Sequence, residues 1–202
     1  MTETIHQFYI KRGLLRSTRL LTIDPLYIEM EGSISSISFP KEDIEGFRYS
    51  VSFLSFYFFR VSKTYTIELR NSKGKIMVIR MHSFFGIQKK QVEQLFIEIY
   101  NKIYDVYFND MVAHYLQLLN SGLTYSLAGA MISNEGLVIK KDGHLIPWIR
   151  LGLTSYYQSC SLYDMSDASY FRSFDYWHDW NATLLRSIVE YKLQHATYEL
   201  LK

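Results

Sequence analysis

Apolar and polar residues alternate in short runs over the first part of the chain, in "STRLLTI", "PLYIEME", "SISSISF" and "GFRYSVSF", with Asp24-Pro25 and Glu31-Gly32 between them. A period of two places every second side chain on one face, so each run reads as a strand with one face buried. Asp-Pro and Glu-Gly are the turns that end them. An aromatic-rich stretch, "LSFYFFR", reads as a connection. After it, "TYTIELR" and "KIMVIRM" flank Asn71-Ser72-Lys73-Gly74, a polar turn whose glycine accepts positive φ, which predicts a hairpin.

The period changes near Phe85. Val92, Leu95, Phe96, Ile99, Ile103 and Val106 recur at three- and four-residue spacing, while Lys89, Lys90, Glu93, Glu98 and Lys102 lie off that stripe. This is an amphipathic helix. Its pattern continues through Met111, Tyr115, Leu116 and Leu119 to the stop signal Asn120-Ser121-Gly122, as one long helix or as a helix broken near Asn109-Asp110.

Strand patterning returns after Gly122. "YSLAGAMIS", "EGLVIKK" and "HLIPWIRL" come first, with Asp142-Gly143 as a type I′ hairpin signal. "TSYYQSCSLYDM" and "SYFRSFDYW" then flank a turn at Ser166-Asp167-Ala168. Leu184, Leu185, Ile188, Val189, Lys192 and His195 give a closing helix that begins just after Asp179, its expected N-cap.

Strands followed by one amphipathic helix therefore occur twice, which predicts an internal repeat over residues 1–120 and 121–202. Leu26, Tyr27 and Ile28 align with Leu137, Val138 and Ile139; Phe39-Pro40 with Ile146-Pro147; and Leu95, Phe96 and Ile99 with Leu184, Leu185 and Ile188. The stretch "GLVIKKDGHLIPWIRL" with the terminal "NATLLRSIVEYKL", and "PLYIEMEGSISSISFPKEDIEGF" with "QVEQLFIEIYNKI", resemble the bacterial pleckstrin-homology-like family at the level of pattern. That resemblance implies an α+β fold of two tandem modules, each a bent antiparallel sheet or partly open barrel capped by a C-terminal helix. It also implies a binding module rather than an enzyme.

Composition narrows the function classes. With 48% hydrophobic and 16% aromatic residues the chain can build a core, and a net charge of +2 is too small for a general nucleic-acid binder. The single cysteine, Cys160, excludes an internal disulfide framework, and the start "MTETIHQFYIKRG" lacks the apolar core of a signal peptide, which together suit the cytoplasm.

Four places carry candidate chemistry. Lys11, Arg12, Arg16 and Arg19 form a basic stretch placed before the first predicted hairpin, a solvated strand edge or a contact for an anionic ligand such as a lipid head group. Phe53, Phe56, Tyr57 and Phe58 put apolar rings on both faces of a segment, which suits packing between domains or subunits, or a partner surface. Cys160 has no base or signature around it and reads as a buried structural thiol. Asp175, His178 and Asp179 in "DYWHDW" offer metal-ligand chemistry, but helix capping accounts for them more simply. Trp177 and Trp180 flank the helix start and are expected to pack beneath it.

No nucleotide-binding glycine loop, Cys-x-x-Cys pair or Gly-x-Ser-x-Gly elbow is present. The expectation is a non-enzymatic binding or scaffold protein with no catalytic, cofactor or metal residues and an unidentified protein or peptide partner. Homo-oligomerisation is compatible with it, and peripheral binding of anionic lipid through the basic stretch is the alternative.

Overall fold

A computed structural model describes residues 4–11, 18–57, 59–84 and 89–199, the side chains of Phe56, Phe59, Arg60 and residues 196–199 excepted. The fold is mixed α+β and the chain divides into two compact units, Met1–Asn109 and Asp110–Lys202. The division falls inside the helical stretch, ahead of the expected boundary at residue 120.

The first unit opens with a four-stranded antiparallel meander, β1 (His6–Lys11), β2 (Thr18–Ile23), β3 (Tyr27–Glu31) and β4 (Ser36–Pro40). Pro40, which has no N–H, ends the ladder, and a short 3-10 turn at Lys41–Asp43 starts the chain in a new direction. A second sheet follows from β5 (Ile44–Phe56), β6 (Phe59–Asn71) and β7 (Ile76–Phe84). Inner positions such as Leu21, Ile28, Phe39, Phe47, Tyr65 and Ile79 are buried.

Helix α1 (Lys89–Ile103) covers these faces with Phe96, Ile99 and Ile103, then passes through a π-helical stretch, Tyr104–Phe108. The expected stripe therefore forms, and the helical stretch continues from the π turn into α2 (Asn109–Asn120) instead of breaking at Asn109-Asp110. The wider π turn lets both Tyr107 and Phe108 point inward. The Tyr107 hydroxyl lies 2.8 and 2.7 Å from the carbonyl oxygens of Asp24 and Tyr27 and shares its one proton between them, tying the helix to the β2–β3 turn.

The second unit repeats this order. After α2, β8 (Tyr125–Leu127), β9 (Ala130–Ile132), β10 (Gly136–Val138) and β11 (Leu145–Pro147) form one antiparallel sheet. A 3-10 turn at Trp148–Arg150 follows Pro147, then β12 (Leu151–Ser155), β13 (Ser159–Asp164) and β14 (Asp167–Asp175) form another, and α3 (Ala182–Glu199) closes the unit with Leu184, Leu185, Ile188 and Val189 buried. Among the described residues no sheet crosses residue 122.

Three backbone hydrogen bonds recur at matching places. Asp24 N donates to Tyr27 O as Ser133 N does to Gly136 O; Lys41 N to Leu26 O as Trp148 N to Glu135 O; and Ser72 N to Asp43 O as Met165 N to Arg150 O. The register pairs Ile28 with Phe39 and Leu137 with Ile146, so Ile28 corresponds to Leu137 and the expected match of Ile28 to Ile139 was slipped by two residues. A two-residue slip keeps the alternation in phase, which is why the apolar pattern still agreed.

Other expectations are corrected. The sheets are open and separate, not closed into a barrel, because the proline and 3-10 turn interrupt the ladder between the fourth and fifth strands of each unit. His6–Lys11 is a strand the pattern reading passed over. "TSYYQSCSLYDM" is a hairpin, β12 to β13, and "YSLAGAMIS" is also one, β8 to β9. Its two-residue turn has positive φ at Ala128 (52°) and Gly129 (75°), the I′ conformation. Asp142-Gly143 instead sits in a longer connection, where only Gly143 has positive φ and Asp142 Oδ1 accepts from His144 N. Asp179 is not the N-cap of α3; its carboxylate accepts from Asp175 N at 2.9 Å.

Gly136 is required by close approach: a Cβ there would overlap the backbone carbonyl of Ile146, whereas at Gly152 it would meet the Tyr163 ring. A ring can turn aside and a ladder carbonyl cannot. Gly136→Ala is therefore expected to cost about 3 kcal/mol and Gly152→Ala about 1 kcal/mol, measured by urea unfolding followed through tryptophan fluorescence; equal costs would contradict this packing. Trp148, Trp177 and Trp180 all lie in the second unit, so that signal reports it alone.

Candidate functional site

The basic stretch belongs to the first hairpin and not ahead of it, since β1 and β2 end their pairing at Lys11 and Thr18. Lys11 is exposed at the end of β1. Arg19 is half-buried in β2, with Nη1 3.7 Å from the Met30 sulfur. Arg12 and Arg16 lie outside the described residues.

The aromatic run spans the end of a hairpin, contrary to its reading as a connection: β5 runs to Phe56 and β6 begins at Phe59. A register shift lies between Leu54 and Ser55 in this hairpin. Phe53 is 45% and Tyr57 84% exposed; Phe58 and the Phe56 side chain lie outside the described residues. The Lys63 ammonium sits 5.6 Å from the Phe53 ring centre, 4.6 Å from that of Tyr65, and 2.9 Å from the Glu93 carboxylate, which it holds below the ordinary carboxylate range.

The second unit gathers the most usable surface on β12–β14. Tyr156 N donates to Ser159 O and Met165 N to Arg150 O, so residues 150, 152, 154 and 156 face β13 with their backbone polar groups. Leu153 and Ser155 consequently direct N–H and C=O away from the sheet, at its edge. Neither has a hydrogen-bond partner for these groups among the described residues. Helix α3 packs against the 3-10 turn, β12 and β13, so this edge runs beside the closing helix.

An ion pair anchors the start of β12. Asp164, fully buried at the end of β13, accepts from Arg150 Nε at 3.1 Å and from Arg150 Nη2, and from the amide and hydroxyl of Ser166 at 2.8 and 2.7 Å. His144 Nε2 stands 3.5 Å away. The Arg150 guanidinium, and after it Ser166, hold the Asp164 carboxyl far below the ordinary carboxylate range although burial alone would raise it.

The outward side of β12–β14 is an open depression of about 580 Å³ lined by Thr154, Tyr156, Ser159, Ser161, Tyr163, Ala168, Phe171 and Ser173. No titratable acid or base of Asp, Glu, Lys, Arg or His type lines it. The sequence signal for this face was visible in the outward positions of "SCSLYD", but with β12 and β13 read as one strand it had no edge to belong to.

The remaining candidates are structural in their contacts. Cys160 is buried in β13, and burial pushes its thiol up to about 11. Asp175 Oδ1 accepts from the amides of Trp177 and His178 and lies 3.0 Å from His178 Nδ1, shaping the strand-to-helix junction. Trp177 and Trp180 are half-buried there. Arg172 donates to the carbonyls of Gly129, Ile139 and Ala128 at 2.8, 3.1 and 3.2 Å, holding the strained β8–β9 turn from across the unit. Among the described residues no helix is long and apolar enough to cross a membrane.

No family model matches the chain, and no match is found among curated proteins.

A carboxylate whose folded pKa is depressed stabilises the fold above the unfolded value, about 3.9 for aspartate, and that contribution fades as pH falls below it. Asp142, held down chiefly by the Tyr170 hydroxyl, and Asp167, held down by Ser169, share the sign of Asp164. Thermal melts read by tryptophan fluorescence are expected to lose Tm steeply below about pH 4. Asp164→Asn should lower Tm at neutral pH, by leaving Arg150 without its carboxylate, and should flatten the acid limb. An unchanged limb in that variant would assign the acid sensitivity to other carboxylates.

Proposed function

We propose that the chain is a non-enzymatic binding protein made of two tandem pleckstrin-homology-like modules, and that the second module takes up an extended segment of a protein partner along β12. Seven strands in two meanders followed by a helix, in each unit, support the family reading. The observation that carries the function is the edge of β12: Leu153 and Ser155 offer outward backbone groups beside α3, and an extended peptide satisfies such groups by adding a strand. A cytoplasmic setting fits the single buried thiol.

Proline on an edge strand is tolerated where its missing N–H would face solvent, so Ser155→Pro removes one docking group and leaves the ladder to β13 intact. Selection of a random-peptide display library on the full chain is expected to enrich sequences that bind the wild type and lose at least about tenfold in affinity for Ser155→Pro, with Tm nearly unchanged. Peptides that bind both proteins equally would place the working surface elsewhere, and failure to enrich any would remove peptide capture as the function.

One observation favours a second reading. The stretch from Lys11 to Arg19 spans the β1–β2 connection, where lipid-binding members of the resembled family carry basic residues. Under this reading the first module holds anionic head groups. Sedimentation with phosphatidylserine vesicles should then fall with added salt and with Arg12→Glu/Arg16→Glu, while phosphatidylcholine vesicles bind nothing; equal binding of the wild type and the charge-reversed variant would rule it out.

A further inference from the structure

The side-chain face of β12–β14 differs in chemistry from the strand edge. Register places Thr154, Ser161 and Ser173 side by side across the three strands, and Gly152, Tyr163 and Phe171 in the next row. A band of small hydroxyls is thus bordered by Tyr163 and Phe171 on one side and by Tyr156, across from Ser159, on the other. The Tyr163 ring lies directly over Gly152, in the space that a side chain there would occupy. Asp175, the register partner of Ser159, turns its carboxylate to the amides of the helix junction and does not line the depression.

Ser161 and Ser173 hydroxyls are 2.7 Å apart and bond to each other. Those of Thr154, Tyr156, Ser159 and Tyr163 have no hydrogen-bond partner within the described residues. Each hydroxyl donates and accepts, whereas ammonium, guanidinium and carboxylate groups do only one of the two when charged. A ligand matched to this lining carries no net charge, presents groups that both donate and accept, and has flat C–H surfaces for the aromatic borders. We propose that this face binds a neutral saccharide of two or three rings.

Size and shape separate this occupant from the others. A depression of about 580 Å³ lies in the range of small-ligand sites, about 300–1,000 Å³. A second copy of the chain would oppose one concavity to another. Phosphate-bearing ligands find no cation in the lining. Tyr156 and Phe171, 58% and 54% exposed, are available for stacking.

The test is a two-dimensional amide NMR titration of the full chain with maltotriose and with cellotriose, and with a neutral Ser/Gly/Tyr-rich peptide as comparator. Saturable shifts confined to β12–β14 are expected with at least one trisaccharide. Affinity is expected to fall at least about tenfold in Phe171→Ala and in Thr154→Val, both at surface positions whose replacement leaves the core untouched. Ser155→Pro, which blocks the strand edge, should leave saccharide shifts unchanged, so this site and peptide capture at the edge stand or fall separately. The proposal is overturned if neither trisaccharide gives saturable shifts, if both variants bind as the wild type does, or if the peptide alone saturates the face, which would assign it to a protein segment.

Discussion

Two short open sheets cannot bury each other's inner faces completely, and each unit depends on one amphipathic helix to finish its core. In the first unit Phe96, Ile99, Ile103, Tyr107 and Phe108 do this, and in the second Leu184, Leu185, Ile188 and Val189. The burden falls on so few side chains that the helix must be held in a set register. In the first unit the Tyr107 hydroxyl supplies that register through the carbonyls of Asp24 and Tyr27, and the π turn is what brings Tyr107 inward beside Phe108. Because the helix occupies the inner side, only outer faces, strand edges and hairpin ends are left to meet anything else.

The recurring hydrogen bond between the start of the sixth-to-seventh strand turn and the end of the 3-10 turn shows how one backbone solution carries two electrostatic ones. In the first unit Asp43 accepts from Ser72 and the neighbouring buried polar residue is Asn71, which turns its carbonyl to Lys75 N. In the second Arg150 accepts from Met165 and the matching residue is Asp164, ion-paired to that arginine. An acid at the first position goes with a neutral amide at the second, and a cation with a carboxylate. A mixed pair would leave either two carboxylates together or an arginine beside a neutral amide, without a carboxylate to pair with, and the first of these is unfavourable. The same backbone hydrogen bond is thus accompanied by two different charge arrangements within one chain.

Elements with a strong single-face pattern were legible in the sequence. The alternation in "TYTIELR" and "KIMVIRM", the stripe Phe96-Ile99-Ile103, and Leu184-Leu185-Ile188-Val189 all lie where their period puts them. What escaped depended on distant contacts. Ala128 accepts positive φ in a turn that Arg172 stabilises from a different sheet, and alanine is not a turn signal. β1 alternates Phe8 and Ile10 inward, yet its outward Tyr9 and the basic residues that follow hid that pattern. The hairpin at Tyr156–Gln158 lacks glycine and proline, so β12 and β13 read as one strand and the candidate site lost its edge. The place of the basic stretch between β1 and β2 followed only from recognising β1.

Strand geometry explains how so short a strand as β12 serves two chemistries. Where backbone groups pair with β13, at Gly152, Thr154 and Tyr156, the side chains stand on the outer face; where side chains turn inward, at Leu151 and Leu153, the backbone faces away from β13. The edge is therefore read through the odd positions and the face through the even ones, with no residue asked to supply both. Side-chain changes at the even positions alter the hydroxyl and aromatic lining without removing an edge donor, and a proline at position 155 removes a donor without altering the lining. The same alternation ties both to the core, since Leu153 packs opposite Leu162 beneath α3, so the precision of either surface depends on the helix that closes the unit.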